Sequence, residues 1–221
     1  GKNLGIKISY AEQGSPRGLP DAFIVGEKFI GKENVALILG DNFFYGQNLT
    51  SKLLKNTKLK KGARVVLHKV TKPELFGVAK INKLNKIISI KEKPKKFLSD
   101  LAITGLYFFD NRVINFSKKL KYSNRGELEI VDLLNFYRKK NQLSADIIGR
   151  GGAWLDTGSI SDYYKTSEFV SAIENRQGFK IACIEEIALT NSWIDKNKIK
   201  NAISFYGNCE YSDYLKELIK K

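Results

Sequence analysis

Apolar residues along the 221-residue chain recur with two periods, and their alternation sketches an α/β protein. Residues 6–12 alternate as a strand does and predict one, closed by a Gly/Ser/Pro loop over 13–18. Leu19, Ala22, Phe23, Gly26, Phe29 and Ile30 then follow helical spacing, with Pro20 tolerated in the first turn. Residues 35–39 form a continuous apolar run, the kind of strand covered on both faces. Strand, helix and strand make one βαβ unit, which predicts a parallel sheet.

Beyond that unit, Phe43-Phe44-Tyr45-Gly46 reads as an aromatic loop and residues 49–55 as a short helix. Strands are predicted over residues 63–70, 77–81, 87–92, 101–109 and 143–148. Asp110 is placed to cap a helix reaching residue 120, and Leu128, Val131, Leu134 and Tyr137 stripe another over 127–140. Helix returns over 159–175, and strand alternation is gone after Gly178. The sum is a three-layer, Rossmann-like α/β fold with a mixed, mostly parallel sheet and a helical C-terminal part.

Composition narrows function more than fold. With 43% hydrophobic and 11% aromatic residues the chain can bury a substantial core. No apolar stretch approaches a membrane span and no signal peptide opens the chain, so a cytoplasmic setting is expected and a membrane partner is not. The formal charge of +15 invites a nucleic-acid reading, but the lysines are scattered among asparagine and isoleucine. A solvated basic surface, suited to small anionic substrates, is the better account, and no nucleic-acid partner is expected. Cys183 and Cys209 lack metal spacing, and the single histidine, His68, lies in a β-like run. Acid–base chemistry centred on histidine is therefore not expected.

Two aspartates carry the candidate chemistry. Asp41 follows the run at 35–39, and Asp156 lies beyond the strand at 143–148, after the glycine patch at 149–152. An acidic side chain at the C-terminal mouth of a buried strand is where open α/β sheets bind ligands. Two such carboxylates can hold one Mg²⁺, with water and phosphate oxygens completing its shell. Asp156-Thr157-Gly158 also matches the aspartic-protease tripeptide, but that chemistry needs two copies sharing a proton and the chain has one.

The surrounding motifs are more specific together than any is alone. Tyr10-Ala11-Glu12-Gln13, Gly18-Leu19, Ala22-Phe23 and Leu39-Gly40-Asp41-Asn42-Phe43-Phe44-Tyr45-Gly46 come first. Phe76-Gly77-Val78, Glu92-Lys93-Pro94, Thr104-Gly105-Leu106-Tyr107-Phe108 and Arg125-Gly126-Glu127-Leu128-Glu129-Ile130 follow. Trp154-Leu155-Asp156-Thr157-Gly158 and Arg176-Gln177-Gly178 close the series. In this order, nearly end to end, they resemble the sugar-phosphate nucleotidylyltransferases, most closely members that join dTTP to glucose 1-phosphate.

That resemblance implies a nucleotidyltransferase core over residues 1–175 with a helical region over 176–221. It implies dTDP-glucose and pyrophosphate as products, a first step of dTDP-rhamnose-type sugar synthesis, and a homo-oligomer. Asp41 and Asp156 fall on its Mg²⁺ ligands, and Lys93 on the cation that meets the sugar phosphate. Gln13 and Gly18 fall on the base-reading positions, while Phe76, Gly77, Glu92 and Ile103 fall on the sugar side. Gln13 offers a donor and an acceptor, suited to the imide edge of thymine or uracil. Phe76 stands where the family usually has tyrosine, which removes a hydroxyl; Pro20 and Asp21 also depart from its common helix opening.

The family's glycine-rich phosphate loop, of the form G-G-x-G-T-R-L, is not matched, and the chain contains no methionine. The expectation is a fragment that turns over weakly, with Gly1 falling inside the domain. Alternatives are a UTP-dependent glucose-1-phosphate uridylyltransferase and a non-catalytic sugar-nucleotide binder.

Overall fold

In the computed structural model, which describes residues 1–220, the apolar runs assemble around one long central strand. The elements of the first part are α1 (Asp21–Val25), α2 (Glu27–Ile30), β1 (Val35–Ile38), β2 (Asn42–Tyr45), α3 (Leu49–Thr57) and β3 (Ala63–Lys69). They continue with β4 (Gly77–Ile81), β5 (Ile87–Glu92), β6 (Leu101–Phe109), α4 (Val113–Ser117), α5 (Ile130–Lys139), β7 (Leu143–Ile148) and β8 (Ala153–Asp156). Helices α6 (Ile160–Gln177), α7 (Ile184–Thr190), α8 (Lys196–Tyr206) and α9 (Glu210–Lys220) complete the chain. Two compact units result, residues 11–162 and residues 1–10 with 163–221, so the division lies ahead of the boundary drawn from sequence at 175.

In the larger unit β6 is the axis of a six-stranded mixed sheet. One edge of β6 pairs with β3, from Ala63 opposite Phe109 to Lys69 opposite Leu101. Its other edge is shared: β1 takes Leu106 to Phe109, and β4 meets it at Ala102. The stretch of β6 between them, around Gly105, faces neither strand.

Period-two alternation sends neighbouring side chains to opposite cores. Val65, Leu67 and Phe109 pack with Phe23 of α1, Val113 of α4 and Leu133, Leu134 and Tyr137 of α5. Val66, Leu106, Phe108 and Ile148 pack instead with Leu53 of α3, Phe44 of β2 and Trp154 of β8. These are the three layers expected. Fully burying one such side chain contributes about 1.5–3 kcal/mol, so the double-faced core dominates this unit's stability. The smaller unit has its own centre, Cys183, Ile199 and Leu215, among α7, α8 and α9.

Three expectations fail. The sheet is mixed but not mostly parallel: among the described residues only β3 and β7 pair parallel, while β6 is antiparallel to β1, β3 and β4, and β4 to β5. A run apolar throughout reports that both faces are covered, not which way the neighbours run. Residues 6–12 form no strand, so the βαβ unit is not present. Ile6, Ile8 and Tyr10 are 39%, 47% and 91% exposed, and no described strand pairs with them. The aromatic loop at 43–46 is instead mostly β2, which pairs antiparallel with β8.

Candidate active site

The small β2/β8 ribbon brings the two aspartates together. Its register sets Asn42 opposite Asp156 and Phe44 opposite Trp154. Asp41 immediately precedes β2, and its backbone oxygen accepts from both the amide and the hydroxyl of Thr157 at 2.8 Å. The two carboxylates converge over Gly158: a Cβ built there would lie 2.9 Å from Asp156 Oδ1 and 3.9 Å from Asp41 Oδ2. Both residues are exposed. Asp156 Oδ1 accepts from the Gly158 amide at 2.8 Å, which fixes that side chain in a tight local turn.

Asn42 ties this ribbon to the central sheet. Its Nδ2 donates to Asp41 Oδ1 at 2.7 Å. Its Oδ1 accepts from Trp154 Nε1 at 2.6 Å and from the Gly105 amide at 3.2 Å. Gly105 lies on the stretch of β6 left open between β1 and β4, and Leu39 N donates to its carbonyl at 2.9 Å. A Cβ on Gly105 would approach the Asn42 amide group to 2.7–2.8 Å, so a side chain there displaces Asn42. Neither Asn42 nor Gly105 was singled out from sequence. A glycine inside an otherwise apolar strand was the available signal, because it often marks a close approach.

Trp154 leads from the aspartates to a second group. Its ring meets Phe76 edge-on at a centroid distance of 5.3 Å. Lys93 N donates to Phe76 O at 3.0 Å, and the Glu92 carboxyl lies on Gly77, with Oε2 2.8 Å from a Cβ built at that glycine. The same built Cβ is 3.9 Å from Ile103 Cδ1. Phe76, Gly77, Glu92, Lys93 and Ile103 are thus neighbours. Much of Glu92 is open to solvent, but burial of its carboxyl end raises its pKa, opposed by Lys93 and Arg125 and aided by Glu129. Lys93 has φ of 39°, a left-handed value that costs a lysine strain and turns the chain sharply after β5.

Gln13 and Gly18 belong to a third cluster. Gln13 Nε2 donates to Asp21 Oδ2 at 2.8 Å and reaches Gly18 O at 3.4 Å. Gly18, at φ of 93°, fits against Leu128, whose oxygen would lie 2.1 Å from an added Cβ. Leu128 N donates to Arg17 O at 2.8 Å. The next residue, Glu129, pairs with Arg125 at 2.8 Å, and both act electrostatically on Glu92.

His68 is part of the scaffold. Its Nδ1 bonds Lys69 O at 2.8 Å, its ring sits 6.4 Å from Trp154, and burial lowers its pKa. A separate cavity of about 220 Å³ lies beside α3 and β7, and none of the expected site residues lines it.

No described group of three or more His, Cys, Asp or Glu side chains could hold a metal by itself. Two hard carboxylates facing one open point nevertheless suit Mg²⁺, which keeps several waters and shares phosphate oxygens with its substrate. Among the described residues, no helix is long and apolar enough to cross a membrane.

A mixed α/β sheet with two carboxylates converging beside a gap in one strand edge can hold a divalent cation against phosphate oxygens. The chain belongs to the nucleotidyl transferase family, whose model matches residues 1–173. Among its relatives, the glucose-1-phosphate thymidylyltransferase of Neisseria meningitidis serogroup A is 48% identical over 221 residues, all of this chain and 77% of the relative. The corresponding protein of Xanthomonas campestris is 40% identical over the same span, 75% of its length. A Bacillus anthracis protein assigned as a glucose-1-phosphate thymidylyltransferase, solved with sucrose, superimposes with a TM-score of 0.68 at 37% identity. That match covers 76% of this chain and 67% of the other.

Proposed function

We propose that the protein is a glucose-1-phosphate thymidylyltransferase, joining dTTP and glucose 1-phosphate to dTDP-glucose with release of pyrophosphate. The observation that carries this reading is the convergence of Asp41 and Asp156 over Gly158, two exposed carboxylates brought together by the β2/β8 ribbon. The names of the relatives supply the substrates.

A phosphate oxygen of the sugar attacks the α-phosphorus in line, a new P–O bond forms, and the bond to pyrophosphate breaks. The residues contribute position and charge rather than a covalent intermediate. Mg²⁺ held by Asp41 and Asp156 would neutralise charge on the reacting phosphate. Lys93 meets the sugar phosphate, and Glu92 accepts from sugar hydroxyls against Gly77 and Ile103. Phe76 contributes ring packing against Trp154 in place of a hydroxyl. Gln13, framed by Gly18, reads the base. The product would feed nucleotide-sugar synthesis of the dTDP-rhamnose type, in a cytoplasmic homo-oligomer.

Pyrophosphate release from glucose 1-phosphate with Mg²⁺, measured with dTTP and with UTP, tests the assignment. Faster release with dTTP is expected. Preference for UTP would make it a uridylyltransferase, and tight dTDP-glucose binding without release would make it a binder.

A further inference from the structure

The amide of Gln13 is anchored through its nitrogen. Nε2 donates to Asp21 Oδ2 at 2.8 Å and points its other proton toward Gly18 O at 3.4 Å. Both partners only accept: a carbonyl carries no proton, and Asp21 is ion-paired with Arg17, whose Nε lies 3.2 Å from the same Oδ2. Turning the amide over would set Oε1 against a carboxylate oxygen with no proton between them. Asp21 is 2% exposed, so water does little to soften that repulsion. Gln13 itself is exposed, and its Oε1 is the end left to a ligand.

The frame behind this arrangement is firm. Asp21 opens α1, its own amide donates to Gly18 O at 3.2 Å, and Gly18 is wedged against Leu128 where no Cβ fits. Sequence suggested that Gln13 offers both a donor and an acceptor. The structure engages the donor internally.

We propose that Asp21 is a positioning residue that sets base specificity: it locks the Gln13 amide so that only an acceptor faces the nucleobase. An acceptor there matches the ring N3–H of thymine or uracil. It opposes cytosine, whose N3 presents a lone pair to the same oxygen. The inference rests on the reading of Gln13 as the base contact, and Asp21 would act through Gln13 without touching the ligand.

The test is calorimetric binding of dTTP, dCTP and N3-methyl-dTTP, each with Mg²⁺, to the full chain and to Asp21→Asn and Gln13→Ala. The unaltered protein should prefer dTTP over both others by about tenfold, the value of one well-placed hydrogen bond. Asparagine can offer Gln13 either a donor or an acceptor, so Asp21→Asn frees the amide to flip. The dTTP-to-dCTP preference should then fall to within about threefold, read at a temperature where calorimetry shows both proteins folded, because Asp21→Asn also gives up the Arg17 ion pair. Asp21→Ser makes the same comparison should the asparagine variant be unstable. An equal loss of affinity for both nucleotides, with the preference intact, would overturn the inference and leave Asp21 as scaffold. Failure of the unaltered chain to distinguish dTTP from N3-methyl-dTTP, or to bind either, would overturn the reading of Gln13 itself.

Discussion

Asp41 and Asp110 stand beyond opposite ends of one antiparallel pair, β1 and β6, in which Val35 faces Phe109. Each follows an apolar run, yet their surroundings differ completely. Asp110 is 5% exposed and accepts from Gly62 N at 2.6 Å, Arg112 Nε at 3.0 Å and the Tyr137 hydroxyl at 3.0 Å. Burial pushes its pKa up, but the Arg112, Gly62 and Tyr137 hydrogen bonds outweigh that and hold it below the usual carboxylate range. Asp41 is exposed, and Asn42 is the single donor to its carboxylate among the described residues, leaving Oδ2 open. A carboxylate supplied with donors on every side is spent on structure. One supplied on a single side retains the capacity to meet a cation.

The sharpest way to break that contrast is to remove the charge at both places. Asp41→Asn or Asp156→Asn should cut Mg²⁺-dependent pyrophosphate release by roughly 100-fold or more, since in the proposed function each would help hold the cation that neutralises the reacting phosphate. Unfolding temperature should stay within about 2 °C, as befits an exposed side chain. Asp110→Asn should do the reverse. Breaking its hydrogen-bonded pair with Arg112 costs about 2–4 kcal/mol, which in a chain of this size lowers the melting temperature by roughly 10 °C. Activity per folded molecule should hardly move. Paired calorimetry and turnover on the three variants decide the matter; loss of stability at Asp41 would make it another structural carboxylate.

Much of this contrast was legible in the sequence, but not the means of building it. The strands β4, β5, β6 and β7 fall where alternation and apolar runs predict, because those signals are local. Asp41 and Asp156 were picked out from their motifs, and the structure sets their carboxylates near each other. Their meeting depends on a four-residue ribbon whose strands lie more than a hundred residues apart, as the Trp154 to Asn42 separation of 112 illustrates. The aromatic run 43–45 has no polar alternation to mark it as a strand, and nothing local names its partner. Strand direction was hidden for a similar reason. β6 is covered on both faces whichever way β1 and β3 run.

Asn42 offers a middle case between the satisfied and the open aspartate, because its amide donates to the Asp41 carboxylate. Asn42→Ala removes that donor and also strands Trp154 Nε1 and the Gly105 amide. Outer partners of metal ligands are typically worth about 10–100-fold in metal affinity. The Mg²⁺ concentration for half-maximal turnover should therefore rise by about tenfold, a smaller effect than losing Asp41. Gly105→Ala, which crowds the same amide, should shift the Mg²⁺ requirement in the same direction. An unchanged Mg²⁺ titration in both would detach Asn42 from the carboxylate and leave it a sheet-to-ribbon tie alone.

Glu92 gives the smallest effect and reverses the logic of Asp110. Its pKa is raised above 4.5, first by burial of the carboxyl against Gly77, with Lys93 and Arg125 pulling the other way. The folded state thus favours the protonated form. Its contribution to stability is complete below its ordinary value and is lost as pH rises through the raised one. The proposed sugar contact would run in the opposite sense, because an ionised carboxylate accepts from hydroxyls more strongly than a neutral carboxyl does. Affinity for glucose 1-phosphate should therefore climb a few-fold as pH rises above about 4.5 and Glu92 ionises. The ligand's phosphate also titrates near pH 6, so Glu92→Gln provides the baseline that retains the phosphate's share and loses the carboxylate's. Parallel pH profiles in the two proteins would remove Glu92 from the sugar contact, whereas a steeper one in the parent would set it apart from Asp110 as a carboxyl held ready for ligand.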